Sequence, residues 1–148
     1  MITSRGCPYH CNYCVSGAMS KQEYFHKRSV KSIVDEMEFL QKTYDVNDII
    51  FYDDCFFFNI SSTENEIKDF CDELSRRDIH MSWQIEVRVD WLTQINPNGV
   101  HMLEECGCRQ INVGIEKTNP IGQEYLGKTC SVGALSDAVQ LVKHHSKI

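Results

Sequence analysis

The stretch Ser29–Asp53, SVKSIVDEMEFLQKTYDVNDIIFYD, decides the fold class because a helical pattern in it leads directly into a strand pattern. Apolar side chains recur at near-helical spacing from Val30 to about Tyr44, and Ser29 is a suitable N-cap for the first amides of a helix. The run Ile-Ile-Phe-Tyr-Asp at 49–53 is short, apolar and ended by an acid, which predicts a buried strand. The stretch therefore predicts one helix and one strand of a layered α/β protein.

The same alternation continues to the end of the chain. Thr63 and Glu66 have capping-box spacing and predict that a second helix starts at Thr63. Residues 81–89 and 111–115 alternate apolar with polar side chains, as strands with one buried face do. Two more helices are predicted, at residues 96–107 and 132–143. The longest candidate loop lies between the last strand and the last helix, at residues 117–131. Strands that alternate with helices predict a parallel sheet covered by helices.

The composition limits what the chain can do. With 148 residues and 42% hydrophobic content, it fits a single domain that buries roughly 70% of its unfolded surface. Its 21 acidic and 15 basic residues leave a net charge of −6, and no run of lysine or arginine could follow a phosphate backbone, so we do not expect nucleic acid as a partner. Neither a signal peptide nor a run of about eighteen apolar residues is recognisable, so we expect a cytoplasmic protein that does not enter the membrane.

The chain has eight cysteines, and without an export signal they are expected to be thiols or metal ligands rather than disulfides. Three of them, Cys7, Cys11 and Cys14, lie close together in one predicted loop. The other five are scattered: Cys55, Cys71, Cys106, Cys108 and Cys130. Cys71 falls on the apolar face of the second predicted helix, so we expect it in the core.

The clustered cysteines belong to the segment Arg5–Cys14, RGCPYHCNYC, with three residues between the first two and two between the last two. One loop can turn all three thiolates toward a single centre. Three ligands cannot close a four-iron cluster, and the iron left open is a place where a substrate can coordinate. The alternative is a structural zinc or a cluster that only transfers electrons. Zinc would need His10 or Cys55 as a fourth ligand, with no paired spacing to support either.

This cysteine pattern, with an aromatic residue immediately before the third cysteine, resembles the radical S-adenosylmethionine (SAM) superfamily. Four further segments are similar to the cobalamin-dependent type of these enzymes and to their anaerobic magnesium-porphyrin cyclase relatives: 28–36, 51–56, 107–108 and 113–116. The resemblance implies an enzyme with a partial β/α barrel, of which residues 1–148 would form about four β/α units. It implies that Cys7, Cys11 and Cys14 hold a 4Fe-4S cluster whose open iron binds the amino and carboxylate groups of SAM.

The implied chemistry is reductive cleavage of SAM to methionine and a 5'-deoxyadenosyl radical, which abstracts a hydrogen atom from a substrate. Reduced flavodoxin or ferredoxin is the implied electron donor, and any cobalamin would be bound by a domain that these residues do not contain. The substrate stays open, and so does the outcome, whether methylation, ring closure or rearrangement. A further alternative is a truncated partner that contributes its surface to another chain without chemistry of its own.

Five more residues are expected around SAM. The resemblance places Tyr13 near the adenine, Asp53 and Asp54 beside the methionine end, and Glu116 at the ribose hydroxyls. A carboxylate accepts two hydroxyl protons well, and the charged guanidinium of Arg88 suits the SAM carboxylate. The alternatives are ordinary for such positions: the acids would be solvated turns or salt-bridge partners, and the arginine would pair with an acid near its own strand.

The barrel is expected to be incomplete. Four strands are predicted, near residues 1, 50, 85 and 113, whereas the resemblance implies about six. The first strand is cut to Met1–Ser4, and the chain stops where a fifth strand should start. The strand Gln110–Ile115 would then be an open edge with few protecting lysines or prolines. We therefore expect the chain to self-associate or to need the rest of a longer protein.

Overall fold

The computed structural model of the chain describes residues 1–16, 25–59, 62–128, 131–145 and 147–148, so Cys130 lies outside the described residues. The strands are β1 (Ser4–Arg5), β2 (His26–Lys27), β3 (Asp48–Ile50), β4 (Ser82–Arg88) and β5 (Cys108–Gly114). The helices are α1 (Val30–Tyr44), α2 (Thr63–Arg76), α3 (Val89–Leu92), α4 (Pro97–Glu105), α5 (Pro120–Tyr125) and α6 (Val132–His145). Within these described ranges, no helix combines the length and the apolar character that a membrane crossing requires.

Strands β3, β4 and β5 form one parallel sheet in that order. Helix α2 connects β3 to β4, and α3 with α4 connects β4 to β5, because parallel strands need a crossover connection. Strand β4 is central, and its residues Trp83, Ile85 and Val87 are buried in a core that they share with the helices. The architecture is part of a β/α barrel, which confirms the predicted fold class.

The first predicted strand, Met1–Ser4, is correct only at its start. The amino group of Met1 donates to the Ile50 carbonyl at 2.7 Å, and the Tyr52 amide donates to the Met1 carbonyl at 2.9 Å, so the chain begins alongside β3. It then leaves the parallel sheet and pairs antiparallel, as β1 with β2. The cause is the Asp53 carboxylate, which accepts the backbone amides of the last two residues of the predicted strand.

Local capping signals set the helix boundaries as predicted. The Ser29 side chain accepts a hydrogen bond from the Ser32 amide at 3.2 Å and caps α1. The Asn96 side chain accepts from the Gly99 amide at 2.9 Å and caps α4. Gly107, just after α4, has a φ of 103°, which a residue with a side chain rarely adopts, and it ends that helical segment.

Two local predictions are wrong in detail. Helix α2 starts at Thr63 as expected, but the capping box does not form, because the Glu66 carboxylate accepts from the amide of Asn59 at 3.0 Å instead. The predicted loop at 117–131 contains helix α5, which is capped by the side chain of Asn119 and has proline at its first position. The Asn-Pro pair is the same start signal that was recognised at α4.

The core behind the sheet is aromatic. Phe51, Phe56, Phe70 and Trp83 are each 1% exposed, and their ring centroids lie 4.6–6.2 Å apart. Tilted and edge-to-face pairs of this kind contribute about 1 kcal/mol each beyond the burial of apolar area. Because Phe51 and Phe56 flank the turn after β3, their packing holds that turn against the sheet.

The expectation that the cysteines are thiols or metal ligands is wrong for one pair. Cys71 on α2 and Cys106 after α4 form a disulfide, with their Cα atoms 5.4 Å apart. The two helices pack side by side against the sheet, which brings the two Cα atoms within the range that a disulfide spans. Cys71 is 6% exposed, so its predicted place in the core is confirmed.

An arginine at the end of α2 ties that helix to α1. Arg77 lies 3.1 Å from Glu38 and 2.6 Å from Glu73, and it also pairs with Asp35. The hydrogen bond from Arg77 lowers the pKa of Asp35. Hydrogen bonds from Arg76 and Arg77 lower the pKa of Glu73 to about 2. Because Arg77 pairs with acids on both helices, it joins the end of α2 to α1.

Candidate functional site

A cavity of about 330 Å³ opens at the carboxyl ends of β4 and β5. In parallel β/α folds this is the end of the sheet where ligands bind. Seven of the eight predicted site residues line the cavity: Cys7, Cys11, Tyr13, Cys14, Asp54, Arg88 and Glu116. The tertiary structure therefore brings together residues that lie up to about a hundred positions apart in the sequence.

The cysteine loop forms one wall of this cavity. The Cys14 amide donates to the Cys11 carbonyl at 3.0 Å, which closes a turn between these two cysteines. Two hydrogen bonds anchor the loop. The Tyr9 hydroxyl donates to a backbone carbonyl in the segment between β3 and α2, at 2.5 Å. The Asn12 side chain donates to the backbone carbonyl of the last residue of α5, also at 2.5 Å. Burial raises the pKa of the Cys7 thiol. Among the described residues, no three His, Cys, Asp or Glu side chains are close enough together to hold a single metal ion.

Arg88, the last residue of β4, connects the sheet to the cysteine loop. Its Nε and Nη2 atoms donate to the two carboxylate oxygens of Asp90 at 2.8 and 2.6 Å, and Nη1 donates to Cys11 Sγ at 2.8 Å. The guanidinium also lies 4.0 Å above the ring of Tyr9. Burial acts to lower the pKa of Arg88, but the Asp90 hydrogen bonds raise it above its usual value, so the guanidinium stays charged. Arg88 lines the cavity, and its expected contact with a SAM carboxylate stays a prediction; in this structure, Nε and Nη2 are engaged by Asp90.

The adjacent acids Asp53 and Asp54 have different surroundings. Asp53 is 3% exposed, and its carboxylate accepts hydrogen bonds from the amides of Thr3 and Ser4 and from the Ser4 hydroxyl, at 2.5–3.1 Å. It is not among the described residues that line the cavity, and its place is that of a buried anchor for the start of the chain. Asp54 is exposed, lines the cavity and accepts from the Ser16 hydroxyl at 3.0 Å.

Glu116 follows β5 with a φ of 53° and lies opposite the cysteine loop. Its Oε1 atom accepts a hydrogen bond from the Tyr13 hydroxyl at 2.6 Å, and its Oε2 atom pairs with the ammonium of Lys128. Burial acts to raise the pKa of Glu116, but the hydrogen bonds from Lys128 and Tyr13 hold it below its usual value. Burial and the bond to Glu116 raise the pKa of Tyr13, so the tyrosine keeps its proton and is the donor.

Sequence reasoning missed Lys128. Its side chain is 3% exposed, and its ammonium donates to the Gly114 carbonyl at 2.6 Å as well as to Glu116. A lysine in a predicted loop is normally taken as solvated, so the residue type carried no signal. The one available clue was its position in the segment 117–131, which follows a strand end on the side of the sheet where ligands bind.

The side chains around the cavity fit a 4Fe-4S cluster with SAM beside it. Three thiols from one loop are a ligand set for an iron-sulfur cluster, and the charged Arg88 lies where it offsets the negative charge of the thiolates. The ionised carboxylate of Glu116 offers oxygens to hydroxyl donors. Asp54, near the mouth of the cavity, offers a second carboxylate to a positively charged group.

Comparison with known proteins gives one family and several relatives. The model of the radical SAM superfamily matches residues 1–147. An uncharacterized methyltransferase of Pyrococcus horikoshii, PH0819, is 28% identical over 143 residues, which make up 97% of this chain and 29% of that protein. The anaerobic magnesium-protoporphyrin IX monomethyl ester cyclase of Rubrivivax gelatinosus is 26% identical over 140 residues, 95% of this chain and 24% of that protein. The chain thus spans less than a third of the length of these relatives.

Solved structures share the fold. The radical SAM methyltransferase TsrM from Kitasatospora setae, with cobalamin and a 4Fe-4S cluster bound, has a TM-score of 0.77 at 21% identity and covers 98% of this chain and 28% of its own. The cobalamin-dependent SAM radical enzyme OxsB, with aqua-cobalamin and SAM bound, has a TM-score of 0.76 at 21% identity and covers 96% of this chain and 21% of its own. At these identities the likeness concerns the fold, and it agrees with a partial β/α barrel.

Proposed function

This chain belongs to the radical SAM superfamily, and we propose that it holds a 4Fe-4S cluster on Cys7, Cys11 and Cys14 and binds SAM in the adjoining cavity. The observation that carries the proposal is that one cavity is lined both by the three cysteines of the loop and by Glu116 at the end of β5. A cluster ligand set and an acceptor for hydroxyl groups therefore lie at the same end of the sheet.

When bound, the reduced cluster supplies the electron that cleaves SAM to methionine and a 5'-deoxyadenosyl radical. Glu116 would accept hydrogen bonds from the ribose hydroxyls, and its low pKa favours the ionised form that does so. Tyr13, on the loop between two ligands, would pack beside the adenine. Asp54 would lie next to the positively charged methionine end of SAM.

The reaction of a whole protein containing this chain is a further proposal. Two kinds of relative, methyltransferases and a cyclase, support a radical-based methylation, cyclisation or rearrangement of a substrate. Reduced flavodoxin or ferredoxin would supply the electron, and cobalamin, if used, would be bound by another part of the protein. A reducing compartment such as the cytoplasm suits a thiolate-bound cluster, because exposed thiolates are readily oxidised.

Anaerobic reconstitution of the chain with iron and sulfide tests the proposal. We expect cluster absorbance, a change of the cluster spectrum on addition of SAM, and 5'-deoxyadenosine once a reductant is added. Cys11→Ala leaves two ligands and should abolish the absorbance. Cys71→Ala is the matched control: Cys71 is buried in the core and not on the loop, so the variant should keep the cluster and only lower the free energy of unfolding.

Two results would count against the proposal. A reconstituted cluster whose spectrum ignores SAM, with no 5'-deoxyadenosine formed, would contradict SAM cleavage and favour an electron-transfer module. Equal loss of iron from Cys11→Ala and Cys71→Ala would contradict the assignment of the cluster to the loop.

A further inference from the structure

We propose that Arg88 is a positioning residue that holds Cys11 and raises the reduction potential of the cluster. This inference rests on the proposed function, because it concerns the cluster that the three cysteines would hold. It goes beyond the ligand set, since it assigns the electrostatic control of the cluster to a residue on β4, 77 positions from the cysteine that it contacts.

The guanidinium is held in place by groups of the chain itself. Two of its nitrogens donate to Asp90 in a bidentate pair, and both side chains of this pair are less than a tenth exposed. The ring of Tyr9, which belongs to the cysteine loop, lies against the guanidinium plane at 4.0 Å. The Nη2 atom also reaches the carbonyl of Gly127 at 3.4 Å. These contacts leave Nη1 directed at Cys11 Sγ, 2.8 Å away.

This geometry has a definite effect on an iron-sulfur cluster. Reduction adds negative charge to a centre that thiolate ligands already make negative. A fixed cation and an N–H group at one ligand sulfur stabilise the reduced state more than the oxidised state, and hydrogen bonds to the sulfurs are among the factors that set the potential. Asp90 opposes the effect, but Cys11 Sγ contacts Nη1 directly whereas the Asp90 carboxylate is bound to the other two nitrogens, so the positive charge is the nearer one.

The test is a redox titration of the reconstituted chain without SAM, followed by electron paramagnetic resonance of the reduced cluster. Arg88→Gln should form the cluster with a more negative midpoint potential. Arg88→Lys keeps the charge but loses the planar guanidinium with its bidentate contact to Asp90, so its midpoint potential should lie between those of Arg88→Gln and the wild type. Arg109→Gln is the matched control. It removes the same charge from an exposed side chain at the start of β5, the end of the sheet away from the cavity, and should leave the midpoint unchanged.

A double variant guards against misfolding, because Arg88→Gln leaves Asp90 buried without its cation. Arg88→Gln/Asp90→Asn replaces the ion pair with two neutral amides and should still shift the midpoint downward, by less than the single variant. A midpoint equal to that of the wild type in both variants would overturn the inference and leave the proposed function intact. Loss of the cluster from both would show that Arg88 only holds the loop, which overturns its role in the potential. A wild-type chain that forms no cluster would overturn the proposed function and this inference together.

Discussion

Tyr13 and Glu116, 103 residues apart in the sequence, are joined by a hydrogen bond of 2.6 Å from the tyrosine hydroxyl to Oε1 of the carboxylate. The bond spans the cavity from the cysteine loop to the end of β5. Lys128 pairs with the other carboxylate oxygen, Oε2. A ligand hydroxyl that approaches Glu116 must therefore share Oε1 with the tyrosine hydroxyl or displace that hydroxyl. The affinity for a ribose-containing ligand therefore reports on this pair.

Glu116→Gln should weaken SAM binding to the reconstituted chain. Loss of the charged acceptor costs about 2 kcal/mol, or roughly a 30-fold rise in Kd. Tyr13→Phe keeps the ring and frees Oε1, so it should not weaken binding. Isothermal titration calorimetry under anaerobic conditions measures both. Glu124→Gln, an exposed acid on α5, is the control, and an equal loss of affinity in it would show that the effect is not specific to the cavity.

Asp53→Asn should destabilise the chain far more than Asp54→Asn. Asp53 is buried and accepts from two amides and a hydroxyl, so we expect its replacement to lower the free energy of unfolding by about 3 kcal/mol. Asp54 is exposed, so its replacement should lower the free energy of unfolding by about 0.5 kcal/mol or less. Urea unfolding followed by circular dichroism compares the two. Similar unfolding midpoints would contradict the assignment of Asp53 as the anchor of the chain start.

The contacts of Arg77 predict how stability depends on pH. A hydrogen bond from Arg77 lowers the pKa of Asp35, and hydrogen bonds from Lys42 and Arg77 lower the pKa of Glu38. Hydrogen bonds from the neighbouring arginines lower the pKa of Glu73 to about 2. Carboxyl groups whose pKa is depressed in the folded state contribute stability above their ordinary pKa, and lose it as the pH falls through the folded value. Stability should therefore fall between about pH 4 and pH 2.

Arg77→Gln tests this dependence through urea midpoints measured across that range. We expect a lower midpoint at neutral pH and a shallower fall in acid, because the pKa values of the three carboxyl groups return toward their ordinary range. Arg76→Gln, whose side chain pairs with Glu73 alone among the three acids, should show a smaller change. If the urea midpoints of the wild type and Arg77→Gln fall in parallel as the pH is lowered, groups other than these three carboxyl groups cause the loss of stability in acid.

Strand β5 predicts self-association. It is an edge of the parallel sheet in the described part of the chain, and it offers unpaired backbone groups along its outer side. Light scattering across a concentration series should show a rising apparent mass. Gln110→Lys puts a charge on an exposed position of β5 and should move the rise to higher concentration, whereas Gln94→Lys, the same change in an exposed turn, should not. A wild-type chain that stays monomeric throughout would show that the edge is protected.

Signals within single segments determined most of the elements. Ser29 and Asn96 cap their helices because each side chain accepts an amide three residues further on, a contact that needs no other part of the chain. The clustering of Cys7, Cys11 and Cys14 in one loop is equally local, since the three cysteines fall within eight residues of the sequence. The alternation of helix and strand predicted the parallel sheet for the same reason: the period of the apolar residues selects each element.

Only the tertiary structure decided which charged and sulfur-bearing side chains meet. Asp53 and Asp54 are neighbours of the same type, yet one is buried against the chain start and the other faces the cavity. Arg88 contacts both Asp90 and Cys11. Lys128, in a segment predicted as loop, pairs with Glu116, and Cys71 forms a disulfide with Cys106. Apart from the Arg88–Asp90 pair, each of these contacts joins residues a dozen or more positions apart. Their distance depends on how whole elements pack, and a pattern within one segment carries no information about that packing.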